Sequence, residues 1–282
     1  MRILLENAGN YILMAIIQGF TEVFPVSSSG HIVIYSHILG MQITFAYVIF
    51  LHIGTFLAIL VNYRRQVWNI LGGKAGWKLP ALLFVSFAMT ALVGLIFQNL
   101  AAHITSEQPS DVAVLWVVNG IILCAIGFFS PQGTKRIDQL GIWSFLTIGI
   151  VQGMTTLPGI SRLGLTLGIG LFLGLKWFEA LDLSLLLSLP TVFFANMFVL
   201  VQQLHPEWLA WSLQSASDNT SAVIINSASA NWLFGALTVL LSFLSCLVAI
   251  RVLSKFLGRK LLVYFGVYCL SAGVFFFFFL NL

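Results

Sequence analysis

The sequence predicts an all-α polytopic membrane protein built as two inverted repeats, each a re-entrant helical hairpin plus three transmembrane helices, six full spans in total. Three observations carry that prediction. The 282 residues are 59% hydrophobic and only 8% charged, with a mean hydropathy of +1.00; a soluble domain holds roughly 25% charge. Near-continuous apolar runs recur at 44–63, 79–98, 112–130, 183–202, 232–250 and 261–280, each close to the roughly 20 residues that cross a bilayer as helix. Finally, two polar stretches that interrupt apolar segments resemble each other. Slid by 134 residues without a gap, Gln18, Gly19, Thr21, Ser27 and Gly30 fall on Gln152, Gly153, Thr155, Ser161 and Gly164, and Leu39-Gly40 falls on Leu173-Gly174.

The first apolar stretch, Tyr11 to Phe24, is too short to cross before Pro25, and the run resumes only after Ser27-Ser28-Ser29. Gly141 to Leu157 stops in the same way at Pro158-Gly159. Two half-helices joined at a polar turn make a re-entrant hairpin, and irregular backbone at membrane depth is tolerated only where protein buries it or it lines a watery cavity. Arg2 alone, with no small-residue cleavage site behind the apolar run, predicts that this first segment is retained rather than removed as a signal peptide. The six longer runs then read as ordinary spans. Cys124, Cys246 and Cys269 sit singly in them, with neither metal nor redox spacing, and read as core packing.

Charge orients the spans. With the N-terminus outside, the loops 64–78, 131–140, 176–182 and 251–260 face the cytoplasm. They hold Arg64, Arg65, Lys74, Lys78, Lys135, Arg136, Lys176, Arg251, Lys255, Arg259 and Lys260, all of the 13 basic residues except Arg2 and Arg162. The outer segments 99–111 and 203–231 hold none and carry Glu107, Asp111, Glu207 and Asp218. That is the positive-inside bias, and it places both termini outside. The chain is one integral membrane domain, 1–282, with repeat one at about 1–132 and repeat two at about 133–282. Three spans per repeat is an odd number, so the second copy is inverted. One hairpin dips in from each side, and their tips meet near the middle. Broken helices of inverted repeats are where membrane binding sites form. The formal net charge of +4 reflects orientation; no basic aromatic surface suggests a nucleic-acid partner.

The tips carry the chemistry. Glu22 and Arg162 are the deepest charges, and intramembrane charges face a cavity and pair. A structural ion pair between the hairpins is the bland reading. The neighbours argue for a phosphorylated ligand. Ser27, Ser28 and Ser29 precede Gly30 and His31 at the start of a half-helix, where free N–H groups and the helix dipole favour phosphate oxygens. Pro158-Gly159-Ile160-Ser161-Arg162 offers a second such turn, and a guanidinium engages two phosphate oxygens at once. His31 is the natural proton donor or acceptor near neutral pH. His52 lies mid-span and reaches either the same cavity or a neighbouring carbonyl. Asp182 reads as a solvated helix-end residue.

Gln-Gly-Phe-Thr-Glu-Val-Phe-Pro-Val-Ser-Ser-Ser-Gly-His (18–31) and Pro-Gly-Ile-Ser-Arg-Leu-Gly (158–164) closely resemble the two signature motifs of bacterial undecaprenyl-diphosphate phosphatases of the bacitracin-resistance type. The resemblance continues through Leu51-His52-Ile53-Gly54-Thr55-Phe56-Leu57-Ala58 and Ser184-Leu185-Leu186-Leu187-Ser188-Leu189-Pro190. It implies hydrolysis of a polyprenyl diphosphate to the monophosphate and inorganic phosphate, at a divalent-metal-dependent site on the outer side of the bacterial inner membrane. That reaction recycles the carrier lipid of peptidoglycan synthesis and gives bacitracin resistance. Carried over residue by residue, Glu22, Ser28, His31 and Arg162 match functional positions, and Ser27, Ser161 and Thr166 match positions lining the site. The metal, Mg²⁺ or Ca²⁺, falls to Glu22. Many relatives have Glu at the position of Gln18 and Ser at that of Leu163. Gln18 therefore leaves Glu22 as the single acidic ligand of the first motif, and Leu163 removes one phosphate contact.

In the resulting hypothesis, Arg162 and backbone N–H groups hold the diphosphate, with Gln18, Ser27, Ser29, Ser161, Thr166 and His52 around it. Either Ser28 or Ser27, activated by His31, or a water oriented by Glu22 and His31, attacks phosphorus. The partners are the lipid substrate and the bilayer; a homodimer is left open. The rival class is a polyprenyl-phosphate flippase using the same inverted-repeat cavity. A third reading is a relative that binds the lipid without turning it over, for want of a carboxylate at Gln18.

Overall fold

The structure is a computed structural model that describes residues 8–41, 43–74, 76–107, 109–204, 232–256 and 258–281. It is almost entirely helical. The first broken segment forms α1 (Ala8–Val23) and α2 (Ser28–Ile38), and the second forms α7 (Ile142–Met154) and α8 (Arg162–Phe172). At 1.5 Å per residue these arms run from roughly 16 to 24 Å, short of the ~30 Å hydrocarbon core. The arms of each pair pack against each other.

The longer apolar runs become α3 (Phe45–Asn62), α5 (Lys78–Glu107), α6 (Pro109–Phe129), α9 (Trp177–Leu204), α10 (Trp232–Phe256) and α11 (Arg259–Asn281). Five of them are long and apolar enough to cross a membrane unaided. A sixth candidate span results if α3 is taken together with α4 (Arg64–Leu71), which is bent from it by 77°. The stretch 64–78 reads in sequence as loop, yet it begins with this short helix. Arg64, Arg65 and the exposed Trp68 and Leu71 share one short amphipathic helix, the composition of a segment lying along a membrane surface. The outer segment 203–231 and residues 1–7 fall outside the described residues, save for the last turn of α9.

Helix pairing repeats between the halves. The first arm of each hairpin packs on a span of the opposite repeat: α1 on α10, and α7 on α5. Large interfaces also join α3 to α10 and α6 to α11, and α3 contacts α9. Exchanging the halves maps α1 on α10 onto α7 on α5 and maps the last two pairs onto themselves, as a two-fold relation requires. The motif glycines make these crossings close. A Cβ on Gly19 would collide with the Ser245 hydroxyl and reach within 2.5 Å of the Ser242 carbonyl on α10; one on Gly153 would sit 2.5 Å from Val93 and 2.9 Å from the Thr90 carbonyl on α5. The core runs along α8 and α9, where Leu163, Leu167, Leu171, Leu185 and Leu187 are buried with Phe145 and Ile148 of α7.

The four basic loops gather at one end of the bundle. Lys78 Nζ donates to the Asp138 carbonyl at 3.4 Å, the Ile137 amide donates to Glu179 at 3.0 Å, and Arg259 reaches the Ser130 carbonyl. Lys135 and Leu175 form an isolated parallel bridge. Asp182 is not the solvated helix end that its position in sequence suggests. The Tyr63 hydroxyl donates to it at 2.7 Å, because the bend between α3 and α4 turns Tyr63 onto α9.

Candidate active site

Pro25 lies in the turn that follows α1, and Ser27 starts α2 by accepting the Gly30 amide at 3.3 Å on its side-chain oxygen. In the second hairpin Ser161 caps α8 by accepting the Gly164 amide at 3.1 Å. The two serines matched at the 134-residue offset thus do the same local work, satisfying a free N–H at a helix start. Both tips are tight. Ser27 holds φ at 65°, the left-handed region, which costs a non-glycine residue on the order of 1–2 kcal/mol. Gly159 holds φ at 106°, and any Cβ there would press on Leu115 at 2.7 Å.

The tips abut. The Gly159 amide donates to Ser27 Oγ at 3.1 Å, bringing the second tip onto the cap of the first. Asn119, fully buried in the middle of α6, clasps both. Its Nδ2 donates to the Pro25 carbonyl at 3.1 Å and its Oδ1 accepts the Ser161 amide at 3.0 Å.

Against this contact, Glu22 of α1 meets Arg162, the first residue of α8. Their side chains are 4% and 13% exposed and form an ion pair. The other carboxylate oxygen accepts the Ser28 hydroxyl at 2.9 Å and Gln18 Nε2 at 2.9 Å. Two intramembrane charges are thereby paired and hydrogen-bonded, the condition under which buried charge is tolerated. Arg162 Nη1 is buried without a hydrogen-bond partner among the described residues. A cavity of ≈ 330 Å³ opens here. Its lining holds Glu22, Ser27, Ser28, Ser29, His52, Ser161 and Arg162, together with the uncharged hydrogen-bonding side chains of Thr90, Gln152, Thr155, Thr156, Thr191 and Asn196 and apolar ones such as Ile160, Leu163 and Val192.

Of the residues singled out in sequence, Glu22, Ser28 and Arg162 are brought into direct contact. Ser27, Ser29, Ser161 and His52 line the same cavity, and His52 Nδ1 donates to the Val48 carbonyl at 2.9 Å. Gln18 stands behind Glu22 and steers its carboxylate. Two residues sit elsewhere. His31 is off the cavity wall, buried between Trp116 and Tyr268. Its Nδ1 lies 2.8 Å from the Ser27 carbonyl, which can only accept, so Nδ1 carries a proton; in the neutral ring Nε2 then accepts from the Tyr268 hydroxyl at 2.8 Å. Ser28 bonds to Glu22, not to His31. The His31 ring instead turns back along α2 onto the Ser27 carbonyl, four residues before it. Thr166 likewise points behind α8, where it bonds to the Arg162 carbonyl and to Ser184 of α9.

Sequence reasoning missed Asn119 and the uncharged part of the cavity wall. A lone amide inside an apolar span was the signal for Asn119. For the wall it was the repeat itself, since Thr155 and Thr156 fall on Thr21 and Glu22 at the same offset.

As to a metal, no group of three or more His, Cys, Asp and Glu side chains that could hold an ion gathers among the described residues, and both oxygens of Glu22 already accept protein donors. That donor set does not make a resident metal cage.

Comparison with known proteins finds relatives over nearly the whole chain. The chain is 31% identical to an undecaprenyl-diphosphatase of Methanococcus vannielii over 95% of its own length and 99% of the relative's. It is 27% identical to undecaprenyl-diphosphatase 1 of Shouchella clausii, over 95% of each chain, and 27% identical to an undecaprenyl-diphosphatase of Persephonella marina, over 94% of this chain and 96% of that one. The family model of the bacitracin resistance protein BacA matches residues 11–275, and the chain belongs to that family.

Proposed function

We propose that the protein is an undecaprenyl-diphosphate phosphatase, hydrolysing the lipid diphosphate to monophosphate and inorganic phosphate. The observation that carries the reading is the contact of Ser28 with Glu22 and of Glu22 with Arg162 at the meeting of the two hairpin tips. Ser28 is the attacking hydroxyl. Its proton passes to Glu22, its oxygen bonds to phosphorus, and the bridging P–O bond breaks to release the prenyl monophosphate. Water then hydrolyses the phosphoserine. Ser27 is a poorer nucleophile, because its oxygen already accepts two backbone N–H groups. Arg162, with Nη1 unpartnered and buried in the site, supplies charge for the phosphoryl oxygens, and positioning plus charge is most of what phosphoryl transfer needs. Mg²⁺ or Ca²⁺ bound through Glu22 and the substrate would neutralise phosphate charge. This chemistry does not require a carboxylate at Gln18, which here fixes the rotamer of Glu22.

The basic end of the bundle faces the cytoplasm of a bacterial inner membrane, both termini lie outside, the repeats divide near residue 132, and the product is the carrier lipid for peptidoglycan synthesis. Purified protein with a long-chain polyprenyl diphosphate and Mg²⁺ should release phosphate. Ser28→Ala and Arg162→Ala should each lower kcat at least a hundredfold in protein that still elutes as a folded species. A wild-type protein that releases no phosphate yet moves prenyl phosphate between liposome leaflets would overturn the hydrolytic reading.

A further inference from the structure

Six buried side-chain polar atoms among the described residues have no hydrogen-bond partner, and two of them belong to residues that line the polar cavity: Arg162 Nη1 and Gln152 Oε1. One is a donor and the other an acceptor. Gln152 lies in the last turn of α7 and is 1% exposed. Its neighbours fix which way its amide points. Thr90 Oγ1 commits its single proton to the Ser86 carbonyl at 2.8 Å or the Gly149 carbonyl at 3.2 Å. Thr191 Oγ1 commits its own to the Leu187 carbonyl at 2.8 Å. Both hydroxyls can therefore only accept from Gln152. Nε2 donates to them, at 3.3 and 2.7 Å, and Oε1 is left buried without a donor. Thr155 and Thr156, which follow in the chain, also give their protons to backbone, the Gln152 and Gly153 carbonyls, at 2.6 and 2.9 Å. This part of the lining thus presents oxygen lone pairs rather than protons.

An ionised phosphate only accepts hydrogen bonds, so Arg162 Nη1 suits it and Gln152 Oε1 does not. A buried acceptor needs a donor, and water is the donor that a hydrolysis brings to the site. We infer that Gln152 Oε1 holds the water that hydrolyses the phosphoserine, which makes Gln152 a catalytic residue of the second half-reaction. This rests on the phosphatase reading and deepens it. A water that donates to Gln152 Oε1 and to the oxygen of Thr155 or Thr156 has the two polar partners that order a buried water, and it turns a lone pair to the phosphoryl group on Ser28. The water oxygen bonds to phosphorus as the bond from phosphorus to Ser28 Oγ breaks. The electron pair of that bond goes to Oγ, which takes back the proton that Glu22 accepted in the first step. The water keeps both its protons and leaves as dihydrogen phosphate. Gln152 therefore serves without being a base, as a loose phosphoryl transfer allows. The repeat divides the labour: Gln18, the counterpart of Gln152 at the 134-residue offset, orients the carboxylate that takes the Ser28 proton, and Gln152 orients the water.

The test separates the two half-reactions in the full-length protein in detergent, with Mg²⁺ and a polyprenyl diphosphate radiolabelled on its distal phosphate. In Gln152→Ala and Gln152→Met, prenyl monophosphate should form in the first turnover at a rate within threefold of wild type. Steady-state release of inorganic phosphate should fall at least tenfold, and acid-stable label should build up on Ser28 toward one per protein. The first turnover reports at the same time that each variant is folded. A residue that only shapes the cavity would slow both half-reactions together. That result overturns the assignment, and so does slowed phosphate release with no label on the protein. A wild-type protein that forms neither prenyl monophosphate nor inorganic phosphate refutes the phosphatase reading itself.

Discussion

Ser27 accepts amide hydrogens from Gly30 and Gly159, while its neighbour Ser28 donates to Glu22. The same residue type therefore serves as scaffold at one position and as reactive group at the next. Kinetics should separate them: Ser28→Ala abolishes phosphate release, whereas Ser27→Ala and Ser27→Gly lower it without eliminating it. The two Ser27 variants should also differ in stability. Both lose the cap, but only glycine is released from the steric penalty of φ 65°, so Ser27→Gly should resist thermal unfolding by about 1 kcal/mol more than Ser27→Ala. His31 holds the Ser27 carbonyl and is held by Tyr268. Removing the Tyr268 hydroxyl with Phe leaves Nε2 unpaired in an aromatic pocket. Tyr268→Phe should then cost about 1–2 kcal/mol of stability and lower kcat severalfold with KM unchanged and no shift in the pH profile. A displaced pH profile would instead mean that His31 titrates in the reaction. Sequence identified every residue of the Glu22, Ser28 and Arg162 contact, because charge inside a membrane and serines before a glycine stand out in an apolar chain. It could not tell that His31 faces away, since a side chain's direction depends on where its helix begins, and that is set by the Ser27 cap.

At the scale of elements, each hairpin is fixed by a glycine-floored crossing: Gly19 against α10 and Gly153 against α5. The obstacles at Gly19 are chiefly backbone, the Ser242 carbonyl and the Cys246 amide, which no rotamer change relieves. Overpacking of this kind costs about 1–3 kcal/mol. Gly19→Ala should therefore lower the detergent unfolding midpoint, and Gly19→Leu should fail to yield folded protein. Gly9, with no atom within 4 Å of its would-be Cβ, should accept alanine without loss. Hairpins and spans were legible because helix length against bilayer thickness is a strong constraint. The bend at Tyr63 was not. Nothing in eight residues of α4 competes visibly with a loop assignment, and none of them is buried in the fold. The extension of α5 to 30 residues, about 45 Å at helical rise, was hidden for a related reason: Gln98, Asn99 and His103 end the apolar run without ending the helix.

Across the whole molecule, the reactive contact exists only because two halves of the chain meet, and Asn119 is the residue that registers them. Glu22 and Ser28 belong to one hairpin and Arg162 to the other, so a shift of the tips by even one hydrogen-bond length would separate acid from guanidinium. The inverted repeat was readable from a 134-residue offset and an odd number of spans. The clasp was not, because it lies on neither hairpin and has no counterpart motif. Its amide suits both sides of the contact, as a donor for the Pro25 carbonyl and an acceptor for the Ser161 amide. Asn119→Asp keeps the acceptor but loses the donor and brings an unpaired carboxyl into the core. Asn119→Ala leaves both backbone groups unsatisfied, each at about 1–3 kcal/mol. Both variants should therefore unfold at lower temperature and lose kcat at least tenfold. The diagnostic comparison is with Glu22→Gln. If Asn119 acts by holding the hairpins in register, the activity losses of Asn119→Ala and Glu22→Gln will fall well short of additive in the double variant, as expected for residues that act through one contact. Additive losses would place Asn119 outside the pathway that brings Arg162 to Glu22.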